Sequence, residues 1–126
     1  MARGLIMAAA LAALACGKGD SESGSGAVLA AWAKAGMKPG SFEPTKEGIG
    51  GGRCRGGNIN GLDATLCEFD DVAAAKRAEA AGLAEIRGVT GLALAEGKLL
   101  LVLADPKQTD PSGRSMNELA KAFRNR

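Results

Sequence analysis

Two strand-like segments followed by a helix-like segment occur twice along the chain, an architectural resemblance between two halves that share no repeated sequence. In the first copy, residues 62–66 alternate between apolar and polar side chains, which is the two-residue period of a half-buried strand. An earlier strand over residues 53–59 is expected to pair with it through Asn60-Gly61, the strongest short signal for a hairpin turn. An alanine-rich helix capped by Asp70 or Asp71 is predicted to follow and to run to about Ile86.

The second copy begins at Leu92. Two strands are predicted on either side of a tight turn at Glu96-Gly97, and the uninterrupted apolar run Leu99–Leu103 indicates the best-buried strand. After a polar loop over residues 105–113, Ser115 and Glu118 have the spacing of a capping box ahead of the apolar face of a final helix.

A short helix is predicted ahead of both copies, over residues 27–37, with Trp32 as its only large aromatic side chain. The predicted order is therefore helix, two strands, helix, two strands, helix. A small two-layer α+β domain with a four-stranded, mainly antiparallel sheet and helices on one face satisfies this order. With 126 residues there is room for one such domain, and a 3% aromatic content with 19 glycines predicts a thin core.

The charge pattern excludes some classes of function. The formal net charge is only +2, and the basic residues are interspersed with acidic ones, so no basic stripe is available for a nucleic acid. The chain has no histidine, the commonest metal ligand and the usual proton-transfer residue near neutral pH. No metal and no cofactor are predicted.

The amino-terminal segment has the layout of a signal peptide. One positive charge in residues 1–4 precedes about eleven uncharged, mainly apolar residues over 5–15. This run is too short for a membrane-spanning helix, which needs roughly 20 apolar residues. The alternative is a buried helix of the folded domain, but the run has no polar face.

The end of this segment, Ala13-Leu14-Ala15-Cys16, resembles the lipobox of bacterial lipoproteins. The resemblance implies cleavage after Ala15, a diacylglyceryl group and fatty acyl chains such as palmitate on Cys16, and stable membrane anchoring. The family usually has Leu at the position of Ala13, and an ordinary secretory leader that leaves Cys16 unmodified is the alternative. Gly17 is not the Asp that commonly retains such proteins in the inner membrane, so the outer membrane is favoured.

These features divide the chain into three parts. Residues 1–15 are the predicted signal peptide, residues 16–26 are a lipidated cysteine and a small, polar, flexible tether, and residues 27–126 are a single exported domain.

The remaining cysteines, Cys54 and Cys67, are predicted to form a disulfide. If Cys16 carries lipid, two of the three cysteines are left in a compartment where thiols are commonly oxidised. Asn60-Gly61 lies close to midway between them, so the hairpin would bring both to the same end. A redox-active pair or a metal site is the alternative, but the Cys-x-x-Cys spacing is missing.

No catalytic motif stands out. The glycine-rich residues 48–52 lack the register of a nucleotide-binding loop, and no nucleophile elbow is present. The remaining candidates each have a simpler explanation as surface charges or helix caps. They are the acidic group Asp63, Glu68, Asp70 and Asp71 for a hard cation, the pair Arg53 and Arg55 for an anion, and Asp110, Ser112 and Gly113 at a helix start for an anion.

The favoured function is a non-catalytic binding or interaction module, held at a membrane through Cys16, with an envelope protein or polymer as its partner. A small envelope enzyme with an unrecognised site and a structural envelope component are the alternatives. The stretch Gly61–Phe69 also resembles one found in small uncharacterised lipoproteins of gram-negative bacteria, a resemblance that implies no activity.

Overall fold

The computed structural model describes residues 24–126. In this part of the chain, three helices and five strands alternate in the order α1, β1, β2, β3, α2, β4, β5, α3. Their bounds are Ser25–Lys34 for α1, Glu43–Pro44 for β1, Arg53–Ile59 for β2, Leu62–Glu68 for β3, Val72–Ile86 for α2, Thr90–Glu96 for β4, Leu99–Asp105 for β5 and Arg114–Arg124 for α3.

The strands form one sheet in the order β1-β2-β3-β5-β4, and every neighbouring pair is antiparallel. The predicted α+β class and antiparallel pairing are therefore confirmed. The predicted number of four strands is wrong, because a further short strand, β1, pairs with β2 and lies between the predicted helix over residues 27–37 and the predicted strand over residues 53–59. Two residues, one of them Pro44, are too few to show a two-residue period.

The hairpin between β2 and β3 follows the sequence prediction. Asn60 and Gly61 both have positive φ, 55° and 84°, as a two-residue hairpin turn of the I′ class requires. The turn sets a register in which Cys54 lies directly opposite Cys67. This hairpin therefore places the two cysteines side by side at its open end.

The helices lie on both faces of the sheet, so the predicted two-layer arrangement with helices on one face is wrong. Along β5, the side chains of Leu99, Leu101 and Leu103 pack with α1 and α3, whereas those of Leu100 and Val102 pack with α2 on the opposite face. A strand that is covered on both faces needs apolar residues at consecutive positions. The continuous run in β5 has this cause, and the result is a three-layer domain.

The face that carries α1 and α3 holds the larger core. Trp32 is fully buried there, and its indole N–H donates to the Leu119 carbonyl at 3.0 Å. Its ring centroid lies 6.1 Å from that of Phe42. Since no part of Trp32 reaches the surface, its predicted role as a core residue is confirmed, and ligand stacking is excluded.

Two helix starts differ from the predictions. Helix α1 begins at Ser25 and not at Ala27, and the Glu68 carboxylate accepts hydrogen bonds from the Ser25 N–H at 3.1 Å and hydroxyl at 3.0 Å. Helix α3 begins at Arg114, and Gly113 occupies its cap position without a side-chain bond. The predicted capping box of Ser115 and Glu118 is wrong, because Ser115 already lies inside the helix.

The start of α2 is as predicted. Asp71 precedes the helix in an extended conformation, and its carboxylate accepts a hydrogen bond from the Ala74 N–H at 2.8 Å. Of the two alternatives left open by the sequence, Asp71 is thus the cap.

Candidate functional site

Cys16, the predicted lipidation site, lies outside the described residues, as do the predicted signal peptide and most of the tether. Within residues 24–126, none of the helices is long and apolar enough to cross a membrane.

Cys54 and Cys67 form a disulfide, with their Cα atoms 4.0 Å apart. The bridge joins β2 to β3 on the face that α2 covers, and its two residues are 7% and 0% exposed. Because the sulfur atoms are bonded to each other and buried in an apolar cluster with Phe69 and Leu100, the pair is a structural cross-link. The alternatives of a metal site or an accessible redox pair do not fit this burial.

The glycine-rich residues 48–52 cover this disulfide. Ile49 packs against the cluster that contains both cysteines, and a Cβ atom on Gly52 would lie 2.6 Å from the Phe69 ring. Only a glycine allows so close an approach. The glycine run therefore shields the cross-link.

The four acidic residues considered for a cation do not converge. Glu68 contacts the start of α1 and Asp71 the start of α2, whereas Asp70 accepts a hydrogen bond from the Arg53 guanidinium at 3.3 Å on the surface. Asp63 is exposed on β3. In the described part of the chain, no three His, Cys, Asp or Glu side chains are grouped so that they could hold a metal ion.

The candidate anion sites are also accounted for by surface charge and internal contacts. Arg53 and Arg55 are exposed on β2, and Arg53 is paired with Asp70. At the start of α3, the Asp110 carboxylate accepts hydrogen bonds from the Ser115 N–H at 3.2 Å and the Met116 N–H at 2.9 Å. The donors that an anion would need are therefore occupied by a carboxylate of the chain itself.

A shallow groove of about 520 Å³ lies between α1 and α3. Its floor consists of small apolar side chains, and three polar side chains border it. The lining residues are Ala27, Ala30, Ala31, Lys34, Ala35, Ala122, Asn125 and Arg126. We call this surface the alanine groove.

Arg126 is held in place at one end of the alanine groove. Its guanidinium lies 4.7 Å from the centroid of the Phe123 ring and donates to the Phe123 carbonyl at 2.5 Å and the Glu96 carbonyl at 3.3 Å. Burial lowers the pKa of Arg126, and the Glu96 carboxylate opposes this shift. Arginine remains charged under such conditions, so a fixed cation borders an apolar floor.

A second hollow of about 440 Å³ lies between the β1 loop and the end of α2. It is bordered mainly by polar side chains: Thr45, Lys46, Glu47, Ile49, Thr65 and Glu85. Its lysine and carboxylates are exposed, and no hydrogen bond among the described residues joins them into a fixed constellation. This hollow lacks the convergent polar groups of a catalytic site.

Comparison with protein-family models, curated protein sequences and solved structures finds no match to this chain. The resemblances to bacterial lipoproteins therefore remain predictions from the sequence.

Three of the most interconnected polar residues were not singled out correctly by sequence reasoning. The Glu68 carboxylate accepts a hydrogen bond from the first residue of α1, 43 positions away, and the Asp110 carboxylate accepts one from the first turn of α3, 5 positions away. The Asp105 carboxylate accepts a hydrogen bond from the backbone of the loop before α3. Asp105 and Asp110 do carry a sequence signal, since both lie in a polar loop directly ahead of an apolar-periodic segment. Glu68 has none, because its partner is distant in the sequence.

Proposed function

We propose that this chain is an exported lipoprotein whose domain is a non-catalytic binding module. In this proposal the leader over residues 1–15 is removed, lipid on Cys16 anchors the protein, and the outer membrane is its destination. The partner is a protein or polymer of the cell envelope.

The observation that carries the proposal is the buried Cys54–Cys67 disulfide. Structural disulfides form and persist in oxidising compartments and are rare in the reducing cytosol. Export requires a targeting segment, and residues 1–15 have the composition of one. The disulfide also uses two of the three cysteines, which leaves Cys16 as the one with no partner within residues 24–126.

The start of α1 supports anchoring close to the membrane. Ser25 is buried and bonded to Glu68, so the described fold reaches to within nine positions of Cys16. Residues 17–24 would span at most about 30 Å if fully extended. A lipid on Cys16 would therefore keep the domain next to the bilayer.

The alanine groove is the surface that we assign to the partner. Its small apolar floor suits a narrow apolar segment, and Lys34 and Arg126 suit a carboxylate or phosphate at its border. Neither the groove nor the polar hollow has the arrangement of acid, base and nucleophile that would favour an enzyme.

Fractionation of cells that express the Cys16→Ser variant tests the anchoring. The wild-type protein is expected in membranes after alkaline washing, whereas the variant is expected in the soluble fraction or as an unprocessed precursor. The isosteric Ser115→Ala change serves as a control, since it leaves the leader intact. A Cys16→Ser protein that is processed normally and stays in washed membranes contradicts the proposal.

A further inference from the structure

The outer edge of β4 is an open strand edge. In the described part of the chain, strand β4 ends the sheet and pairs only with β5. The Ala95 N–H points away from β5, since it donates to the Glu79 carboxylate at 2.8 Å. Because backbone groups alternate along a strand, those of Gly91 and Ala93 also point outward. Among residues 24–126, the N–H groups of Gly91 and Ala93 donate no hydrogen bond to a group outside the sheet.

The two edges of the sheet are protected very differently. The opposite edge, β1, is two residues long and contains Pro44, both of which discourage a further strand. Strand β4 has seven residues and contains neither proline nor a charged residue before Glu96. Within residues 24–126, the Glu79 carboxylate reaches down from α2 to one outward N–H group, that of Ala95.

Exposed apolar side chains border this open edge. The exposed large hydrophobic residues of the described chain are Val72, Leu83 and Val89, at 57%, 55% and 37% exposure. Val89 directly precedes β4, and Leu83 follows Glu79 by four positions, which places the two on the same face of α2. Val72 lies seven positions before Glu79 on that same stripe, which places it beyond the end of β4.

The position of α2 along β4 places Leu83 beside the middle of the strand. Glu79 contacts Ala95, and a Cβ atom on Gly82 would lie 3.0 Å from that of Ala93. Further on, Ile86 lies over Gly91. The helix therefore runs antiparallel to β4, and Leu83 lies at about the level of Ala93.

We propose that β4 pairs antiparallel with β4 of a second copy of this chain, with Ala93 at the twofold axis. In this register Gly91 lies opposite Ala95, Leu92 opposite Leu94, and Thr90 opposite Glu96. Apolar residues face apolar residues, and no like charges are opposed. The strand is thus complementary to itself, as an isologous interface requires.

The pairing gives hydrogen-bond partners to the outward backbone groups of β4. Residues 91, 93 and 95 of both copies would form about six backbone hydrogen bonds and join two sheets into one. A twofold axis perpendicular to the sheet places both α2 helices on the same face, with the two Leu83 side chains close to the axis. Glu79 competes with the second copy for the Ala95 N–H and so limits the strength of pairing.

Cysteine cross-linking tests the register, in the full chain with Cys16→Ser to remove the third native thiol. Facing residues of an antiparallel pair have Cα atoms about 5.5 Å apart, within the range that a disulfide can bridge. Ala93→Cys is therefore expected to give a covalent dimer on mild oxidation. The matched Ala95→Cys variant should not form a covalent dimer, because residue 95 of one copy would lie roughly 13 Å along the strands from residue 95 of the other. Equal cross-linking of both variants, or none at position 93, overturns the proposed register.

The mass of the protein in solution as a function of concentration tests the interface without a new thiol. Leu83→Lys opposes two like charges at the axis and is expected to raise the dimer dissociation constant by about tenfold or more. Ala84→Lys adds the same charge at the next position of α2, which is also exposed but faces away from this stripe. This variant should leave the dimer dissociation constant unchanged. A wild-type chain that stays monomeric at all concentrations, or equal effects of both lysines, refutes the proposal.

Discussion

At the scale of single residues, Asp110 has the clearest role. Its two carboxylate oxygens accept the Ser115 and Met116 N–H groups, and the side chain is 8% exposed. Asp110→Ala is expected to lower the free energy of unfolding by about 1 to 2 kcal/mol, because it leaves two donors of α3 without a partner. Urea denaturation measures this loss.

Ser115→Ala is the matched control for Asp110→Ala. The Ser115 hydroxyl makes no hydrogen bond among the described residues, so its removal should change the free energy of unfolding by less than about 0.5 kcal/mol. If Ser115→Ala were the more damaging change, the capping box predicted from the sequence would be right after all and the assigned role of Asp110 would be wrong.

Asp105 links the stability of the domain to pH. Desolvation raises the pKa of this buried carboxyl, but hydrogen bonds from the backbone of Asp110, Thr109 and Gln108 and from the Thr109 hydroxyl outweigh it and hold the pKa below its ordinary value. A lowered pKa in the folded state means that the charged form stabilises the fold above about pH 4, and that this contribution is lost as the pH falls through the folded-state pKa.

Asp105→Asn should therefore reduce the acid sensitivity of the domain. The variant is expected to be less stable than the wild type at neutral pH, with the difference shrinking as the pH is lowered towards about 2. Thermal unfolding across this pH range measures the effect. A difference between the two proteins that stays constant from neutral to acidic pH would show that the Asp105 charge does not contribute in this way.

At the scale of elements, the hairpins were predictable and the helix placements were not. The alternation over β3 and the Asn60-Gly61 turn are local signals, and the structure reproduces both. The side of the sheet on which a helix packs depends on the path of the chain in three dimensions. The apolar run of β5 did contain that information, since a strand with one solvent-facing side would not be apolar at consecutive positions.

The disulfide is a covalent constraint on the β2–β3 hairpin. It closes a loop with a sequence separation of 13, for which the restriction of the unfolded chain contributes about 3 kcal/mol. The double variant Cys54→Ala with Cys67→Ala is expected to lose about that much stability and to melt at a lower temperature. A reducing agent should destabilise the wild type similarly and leave the double variant unaffected. Equal melting temperatures with and without the bridge would contradict this role.

At the scale of the whole molecule, the α+β class and the order of the main elements could be predicted, because each segment has its own periodicity. The candidate site could be predicted only in part. The pairing of Cys54 with Cys67 was accessible through the hairpin, whereas the alanine groove depends on α1 and α3 meeting across 87 residues of sequence, as the Trp32–Leu119 hydrogen bond shows. In the sequence, alanines that line a groove look the same as alanines on any other face of a helix.

The mass of the protein purified from the native envelope shows whether Cys16 anchors the domain to a membrane. We expect an amino-terminal peptide that begins at Cys16 and carries a diacylglyceryl group on sulfur, with or without a further acyl chain on the amine. An amino-terminal peptide that contains Cys16 without lipid, or that retains residues 1–15, would contradict this anchoring.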